Sequence, residues 1–302
     1  LIILGFAILI IGGESLVKAA VSMASKLRIA PAIIGLTVIA AGTSAPELVT
    51  SLLAALRESP DIAMGNVIGS NIFNILVIIG LASAIKPNRV ALSFVRIEIP
   101  VLIICSIILL ILSWDLELSS LEGVSCVLVL CVLFYISIYR AKKVGYEPDG
   151  DIQELKNKWF DIGYLVFGCG ALVGGAQIAL EGGIQLGQII GLSERIIGIT
   201  IISIGTGLPE LATSCVAAYR GRNDIAIANV IGSNLFNTMG VAGAASAIHA
   251  IKISPAIAHL DAPIMLAVTF LLLPIVTLGK MQINRATGFL MCTSYGGYIL
   301  YL

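Results

Sequence analysis

The sequence predicts an all-α membrane protein with ten transmembrane helices, arranged as two inverted five-helix repeats in which helices 2 and 7 are broken. Three observations predict this fold. The composition is poor in charge, ten apolar segments are long enough to span a bilayer, and an internal repeat covers the second and third segments of each half.

The composition indicates a protein dissolved in lipid. Of 302 residues, 58% are hydrophobic and 12% are charged, whereas soluble domains carry roughly 25% charged residues. This composition makes the lipid bilayer the expected partner. The net charge is zero, which gives no excess of basic residues for binding nucleic acid, so we expect no nucleic-acid partner. No nucleotide-binding glycine motif or catalytic constellation is visible, so we expect neither an enzyme nor a cofactor.

Ten segments contain the roughly 20 apolar residues that a spanning helix needs. They are 1–25, 31–56, 62–84, 93–114, 119–139, 160–189, 195–218, 225–248, 255–278 and 283–302. The longest polar stretch divides the chain into an N-terminal repeat at 1–140, a cytoplasmic linker at 141–158 and a C-terminal repeat at 159–302.

The positions of lysine and arginine predict the orientation, because cytoplasmic loops carry an excess of both. With the N-terminus outside, fourteen basic residues lie on the inner side and three, Arg57, Arg195 and Lys252, on the outer side. We therefore expect a multi-pass plasma-membrane protein with both termini outside, functional as a monomer.

The internal repeat aligns residues 34–85 with 197–248 without a gap, and 30 of the 52 positions are identical. Because each half has an odd number of spans, the second copy enters the membrane from the opposite side. Inverted repeats are typical of secondary transporters, whose binding sites lie near the midplane between the halves.

One glutamate of each repeat, Glu47 and Glu210, lies near the middle of a predicted span. An ionised carboxylate in hydrocarbon is costly unless it is paired or lines a polar cavity, and no lysine or arginine lies at the same depth. A cation taken from solution is the simplest partner, and a protonated acid bonded across the bundle is the alternative. Two carboxylates are neutralised by one Ca²⁺, by two Na⁺ or by two protons.

A proline precedes each acid, and a glycine lies four residues before the proline. Proline removes a backbone donor and clashes with the preceding turn, so we expect both helices to break here. The carbonyls freed by the break, those of Thr43 and Thr206 among them, persist at membrane depth only around a cavity or an ion. Carbonyl and carboxylate oxygens are the ligands that Ca²⁺ accepts.

The motif Gly-Ser-Asn-x-Phe-Asn occurs on the third and eighth predicted spans. Ser70 and Asn74 are four residues apart and share a helical face, as do Ser233 and Asn237. These side chains complete a shell of oxygen ligands or, alternatively, bridge neighbouring membrane helices.

At these motifs the chain resembles the calcium/cation antiporter superfamily, and within it the prokaryotic sodium/calcium exchangers. The resemblance lies in Gly-Thr-Ser-Ala-Pro-Glu at 42–47 and Gly-Asn-Val-Ile-Gly-Ser-Asn-Ile-Phe-Asn at 65–74, with their copies at 205–210 and 228–237. It implies an antiporter that exchanges Na⁺ for Ca²⁺ by alternating access, with spans one and six sliding across the other eight. Gly12-Gly13 and Gly174-Gly175 fit such sliding because small residues permit close contact.

The resemblance also implies a set of cation ligands, with Ca²⁺ and Na⁺ as the transported ions. They are the side chains of Glu47, Glu210, Ser44, Ser70, Ser233, Asn74 and Asn237, and the carbonyls of Thr43, Thr206, Ala40 and Ser203. Two departures leave the coupling ion open. Asn237 stands where many exchangers have Asp, and Gly207 replaces the hydroxyl that Ser44 supplies in the first repeat. H⁺/Ca²⁺ exchange, K⁺-dependent Na⁺/Ca²⁺ exchange and a cation channel are the alternatives.

Overall fold

The computed structural model describes residues 1–144, 154–190 and 203–301, and these are almost entirely helical. The helices begin and end as follows: α1 Ile2–Leu27, α2 Pro31–Thr43, α3 Ala45–Leu56, α4 Pro60–Ile85, α5 Phe94–Leu112, α6 Ser120–Val144, α7 Lys158–Ile189, α8 Ser203–Thr206, α9 Leu208–Tyr219, α10 Asn223–Ile248, α11 Ile257–Leu278 and α12 Arg285–Tyr301.

Seven of the helices in this part of the chain are long and apolar enough to cross a membrane. The number is eight if α2 and α3, which meet at a bend of 44°, are counted as one broken span. Two of the ten predicted spans fall outside this count. The last is the 17-residue α12, and the predicted span 195–218 includes residues outside the described ranges.

Four two-residue strands join the loops of the first half to those of the second. They are β1 Asn88–Arg89, β2 Glu117–Leu118, β3 Ile251–Lys252 and β4 Gln282–Ile283. Strand β1 pairs antiparallel with β4, and β2 pairs antiparallel with β3. Each ladder joins two loops that the basic residues assign to the same side of the membrane.

Several long helices contain π-helical turns at matching places in the two halves. Asn74–Ile79 interrupts α4 and Phe236–Val241 interrupts α10, immediately after the Gly-Ser-Asn motif. The turns Phe94–Glu98 and Ile257–Asp261 begin α5 and α11. A π-helical turn shifts the helical register by one residue, which turns the side chains that follow it toward new neighbours.

The buried apolar residues form two clusters. The larger one lies among α4, α5, α6, α10 and α11, with contributions from α2 and α3. The smaller one joins α1 and α7 to α2, α9 and the start of α10. Helices α1 and α7 therefore pack as a pair against one side of the remaining helices.

Glycine allows the backbones of α1 and α7 to approach closely. A Cβ atom at Gly5 would lie 2.5 Å from the Ala179 nitrogen, and one at Gly12 would lie 3.0 Å from the Gly168 carbonyl oxygen. Gly175 faces Gly5, whereas a Cβ at Gly174 would meet open space. Gly12 and Gly175 thus lie between α1 and α7 rather than against the other helices. A Cβ at Gly13 would lie 3.3 Å from the Ala212 carbonyl oxygen on α9, so Gly13 is the glycine of this set that faces the remaining helices.

Candidate cation-binding site

The two predicted helix breaks are present, and each places a glutamate in the first turn of a new helix. Helix α2 ends at Thr43 and α3 begins at Ala45, while α8 ends at Thr206 and α9 begins at Leu208. Glu47 and Glu210 therefore lie at the N-termini of α3 and α9, where the helix dipole favours negative charge. The C-termini of α2 and α8 present their carbonyls at the same breaks, where the dipole favours a cation.

Glu47 and Glu210 are both fully buried, and most of their oxygens lack a partner. Neither oxygen of Glu47 accepts a hydrogen bond, and Oε2 of Glu210 accepts none. Ser44, three residues before Glu47, donates a hydrogen bond to the Glu210 carboxylate, which brings the segments that carry the two acids together. Two negative charges brought together without counter-charge are strongly unfavourable, so this arrangement requires a cation or protons.

No basic side chain in the described ranges supplies that counter-charge. The two ion pairs found there are Lys26–Asp161 and Arg220–Glu14, and neither includes Glu47 or Glu210. The described residues also hold no cluster of three or more His, Cys, Asp and Glu side chains arranged to bind a metal. A cation between the two acids would therefore complete its shell with neutral oxygens.

The oxygen Oε1 of Glu210 is held by hydroxyl groups from both repeats. Ser44 Oγ donates to it at 2.7 Å, and Ser233 Oγ donates at 3.4 Å. Thr43 Oγ1 lies 3.4 Å from both Ser233 Oγ and Asn229 Oδ1. The predicted ligands Ser44, Ser233 and Glu210 thus lie together, with Thr43 beside them.

Asn74 of α4 and Asn234 and Asn237 of α10 are buried. Asn74 Nδ2 donates to Asn234 Oδ1 at 2.9 Å, which leaves Asn74 Oδ1 without a partner. Neither side-chain polar atom of Asn237 has a partner. An amide oxygen that is buried and unpaired is costly to a fold, and it is also a suitable ligand for a hard cation. Ser70 is buried on the same helix as Asn74.

The remaining asparagines of the motif hold helices together. Asn66 Nδ2 donates to the Glu47 carbonyl at 3.1 Å and to Ser51 Oγ at 2.9 Å. Its repeat counterpart Asn229 donates to Ser214 Oγ at 3.1 Å. Asn71 Nδ2 donates to Thr238 Oγ1 at 2.9 Å, as expected for a side chain turned away from the face of Asn74. These bonds fix the helices that carry the acids.

The predicted carbonyl ligands differ in their surroundings. The Ala40 carbonyl accepts hydrogen bonds from the Ser44 amide at 3.0 Å and from Thr43 Oγ1 at 3.3 Å, so its lone pairs are engaged in this conformation. Thr206 ends α8 immediately before Gly207. Ser203 begins α8, and its side chain lies outside the described part of the chain.

One polar residue of this region was missed by the sequence analysis. Thr213 is buried on α9, and its Oγ1 has no partner. It lies three residues after Glu210, hence on the same helical face, and it matches Thr50 in the repeat. Those two features together could have indicated it.

Comparison with known proteins gives matches over nearly the whole chain. The family model described as "Sodium/calcium exchanger protein" matches residues 1–139 and 160–302. The putative antiporter CaxA of Alkalimonas amylolytica is 35% identical over 305 residues, covering 98% of this chain and 96% of that protein. The inner membrane protein YrbG of Escherichia coli (strain K12) is 33% identical over 310 residues, covering 100% of this chain and 94% of that protein.

The fold also matches that of a solved exchanger. The sodium-calcium exchanger NCX_Mj soaked with 2.5 mM Na⁺ and 10 mM Sr²⁺ superimposes with a TM-score of 0.86 at 26% identity, covering 100% of this chain and 97% of that chain. The same exchanger soaked with zero Na⁺ and Ca²⁺ superimposes with a TM-score of 0.83 at 28% identity, covering 99% of this chain and 97% of that chain.

Proposed function

Because this multi-span membrane protein belongs to the sodium/calcium exchanger family, we propose that it is a secondary active antiporter exchanging Na⁺ for Ca²⁺ by alternating access. One observation carries the proposal. Two fully buried carboxylates, Glu47 and Glu210, have unpaired oxygens and no basic partner in the described ranges.

Charge balance explains why such a site exchanges ions. The two acids together carry a charge of −2, which either one Ca²⁺ or two Na⁺ neutralise. A charged site is costly to move through the low-dielectric part of the protein, so the site moves only when it is neutral. The site loaded with Ca²⁺ or with Na⁺ is neutral and can move, whereas the empty site is charged and cannot. Exchange then follows without any further energy source, and no cofactor is needed beyond the transported ions.

We assign the ligands of the cation to both repeats. Glu47 and Glu210 bind it directly, and the neutral oxygens that complete the shell are those of Ser44, Thr43, Thr206, Ser70, Ser233, Asn74 and Asn237. The burial of Asn237 with both polar atoms unpaired supports its inclusion. The carbonyls of Ala40 and Ser203 belong to this set only in a conformation that releases the Ala40 carbonyl from Ser44 and Thr43.

The architecture in this proposal is ten helices in two inverted repeats, at 1–140 and 159–302, joined by a cytoplasmic linker at 141–158. Both termini face outside, and the protein acts as a monomer in the plasma membrane. The repeat in the sequence and the paired π-helical turns support the two-fold relationship.

Alternating access would come from movement of α1 and α7 across the other helices. The close glycine contact at Gly5 and Gly12 supports this movement. Such a contact couples the two helices to each other more tightly than to the rest of the protein, so they would move together.

Flux into reconstituted vesicles tests the function. Vesicles loaded with Na⁺ are expected to take up ⁴⁵Ca²⁺ only while an outward sodium gradient lasts. The Glu117→Gln variant, altered at an exposed residue between α5 and α6, is expected to behave as the unaltered protein does. Uptake driven by a pH gradient in sodium-free buffer would replace this assignment by H⁺/Ca²⁺ exchange. A strict requirement for K⁺ would point to the potassium-dependent type, and single-channel currents would contradict an exchanger altogether.

A further inference from the structure

A groove between α1 and α7 lies apart from the two acids. Its volume is about 660 Å³. The apolar side chains that line it are those of Ile11, Trp159, Phe160 and Phe167, and all four are exposed. None of these residues contacts Glu47 or Glu210 through a hydrogen bond or ion pair, so the proposed exchange reaction leaves the groove unexplained.

A lysine lies on the wall of this groove within a membrane-spanning helix. Lys18 is exposed, and it is nine residues before the end of α1 at Leu27, which is roughly 13 Å along the helix axis. An ammonium group at such a depth is costly unless it reaches the interface or meets an anion. Neither ion pair of the described residues involves Lys18.

The charges around the groove leave a positive excess. Glu14 also lines it, but its carboxylate is paired with the Arg220 guanidinium. Lys158 does not line the groove, and its Nζ lies 5.5 Å from the centre of the Trp159 ring. Lys18 is therefore left to attract an anion, and Tyr164 adds a hydroxyl group that can donate to one.

The position of the groove determines the class of its occupant. Its exposed apolar side chains lie on two helices that are long and apolar enough to span the bilayer, so they would face lipid. Trp159 and Phe160 lie in the first turn of α7, where aromatic side chains typically mark the membrane interface. Basic pockets between spanning helices near that interface suit lipid head groups.

We propose that this groove binds one anionic phospholipid. The phosphate accepts hydrogen bonds from Lys18 and Tyr164, and an acyl chain runs toward the bilayer centre along Phe167 and Ile11. A zwitterionic lipid would bring its own cation next to Lys18 and bind less well. The lipid would contact both α1 and α7 and would link the state of this helix pair to the composition of one leaflet.

Tryptophan fluorescence tests the proposal without measuring transport, so its outcome is independent of the proposed exchange function. The chain has two tryptophans, and Trp114→Phe leaves Trp159 as the only one. This variant is reconstituted into vesicles of unlabelled phosphatidylcholine. One set of vesicles contains a low mole fraction of phosphatidylglycerol with brominated acyl chains, and the other contains the same fraction of phosphatidylcholine with brominated acyl chains. We expect brominated phosphatidylglycerol to quench Trp159 with an apparent affinity roughly fivefold higher than that of brominated phosphatidylcholine, because one basic residue near the surface contributes about 1 kcal/mol.

Two variants and their controls decide the result. Lys18→Gln should abolish the preference for phosphatidylglycerol, whereas Lys142→Gln, at an exposed lysine near the same end of the helices, should retain it. Gly163→Leu fills the groove and should reduce quenching by both lipids, whereas Gly170→Leu, which also points into open space outside the groove, should not. Equal quenching by the two lipids in the Trp114→Phe protein would overturn the proposal, and so would an equal loss of preference in Lys142→Gln.

Discussion

Ser44 donates a hydrogen bond of 2.7 Å to the Glu210 carboxylate, so a hydroxyl from the first repeat supports the acid of the second. The counterpart of Ser44 in the second repeat is Gly207, which has no hydroxyl to offer to Glu47. This accounts for one of the two hydroxyls that bond Glu210 and are missing at Glu47. The other is that of Ser233, whose counterpart Ser70 is present but makes no hydrogen bond to Glu47. The absence of a hydroxyl at Gly207 in the second repeat thus leaves the acid of the first repeat, Glu47, without the hydrogen bond that Glu210 receives from Ser44.

Ser44→Ala should destabilise both the ion-free and the Ca²⁺-loaded protein, and the loaded one more. Without the ion the variant loses a hydrogen bond to a buried carboxylate, which contributes about 1.5–3 kcal/mol, and with Ca²⁺ it also loses an oxygen ligand. The measurement is thermal unfolding in detergent with chelator and with saturating Ca²⁺. Ser106→Ala, which removes a buried hydroxyl bonded to the Leu102 carbonyl, should lower stability equally in both conditions. Equal losses in both conditions for Ser44→Ala would contradict the role of Ser44 as a ligand of the cation.

Gly207→Ser should destabilise the protein, although it restores the symmetry of the repeat. A Cβ atom at this position would lie 2.8 Å from the Phe73 ring, and overpacking of this kind costs about 1–3 kcal/mol. The free energy of unfolding is the quantity to measure. Adding Phe73→Leu should recover part of the loss, while Gly170→Ser, in open space, should be neutral. No recovery in the double variant would show that the Phe73 ring is not the obstacle.

Asn237→Asp should make the protein depend on cations for stability. Because Asn237 belongs to the proposed ligand set, a carboxylate in its place raises the charge of the site to −3, which one Ca²⁺ no longer neutralises, so an additional monovalent cation is expected to bind. The midpoint of unfolding should fall in chelator and recover in Na⁺, and the Hill coefficient for Na⁺ in the flux assay should rise. Asn284→Asp, at an exposed helix cap, should change neither quantity. An unchanged Na⁺ dependence in Asn237→Asp would place this side chain outside the ion site.

The Arg220–Glu14 ion pair connects α1 to the residue that follows α9. If α1 moves during transport, this ion pair forms in only one of the conformations. Removing the pair should therefore alter the exchange rate, while the free energy of unfolding should change by at most about 1 kcal/mol. Initial rates of Arg220→Gln, Glu14→Gln and the charge-swapped pair Glu14→Arg with Arg220→Glu measure the coupling. The swapped pair should regain the original rate. Strictly additive effects in this cycle would show that the pair has no role in the movement.

The sequence predicted the features that depend on local chemistry. A proline four residues after a glycine dictates a helix break, and the breaks occur one residue after Thr43 and after Thr206. The 163-residue offset of the repeat placed Glu47 and Glu210 in equivalent turns, and both are buried without a basic partner in the described ranges. Helix periodicity also separated Asn74 from Asn71, which bonds Thr238.

The features that depend on packing between distant helices were not predictable. That Ser44 bonds Glu210 rather than Glu47 follows from how the two halves fit together, which no local pattern records. Arg220 pairs with Glu14 because of the position of α1 along α9. Gly168 rather than Gly174 faces Gly12 because of the register of α1 against α7. The π-helical turn at Asn74–Ile79 likewise has no sequence signal that we recognise.

Binding of ⁴⁵Ca²⁺ to the purified protein tests most directly whether Glu47 and Glu210 hold the transported cation together. Glu47→Gln and Glu210→Gln should each lose saturable binding while remaining folded, because a single remaining carboxylate cannot neutralise Ca²⁺ in a buried site. Glu117→Gln should bind as the unaltered protein does. Retention of Ca²⁺ binding by both Glu47→Gln and Glu210→Gln would contradict the account.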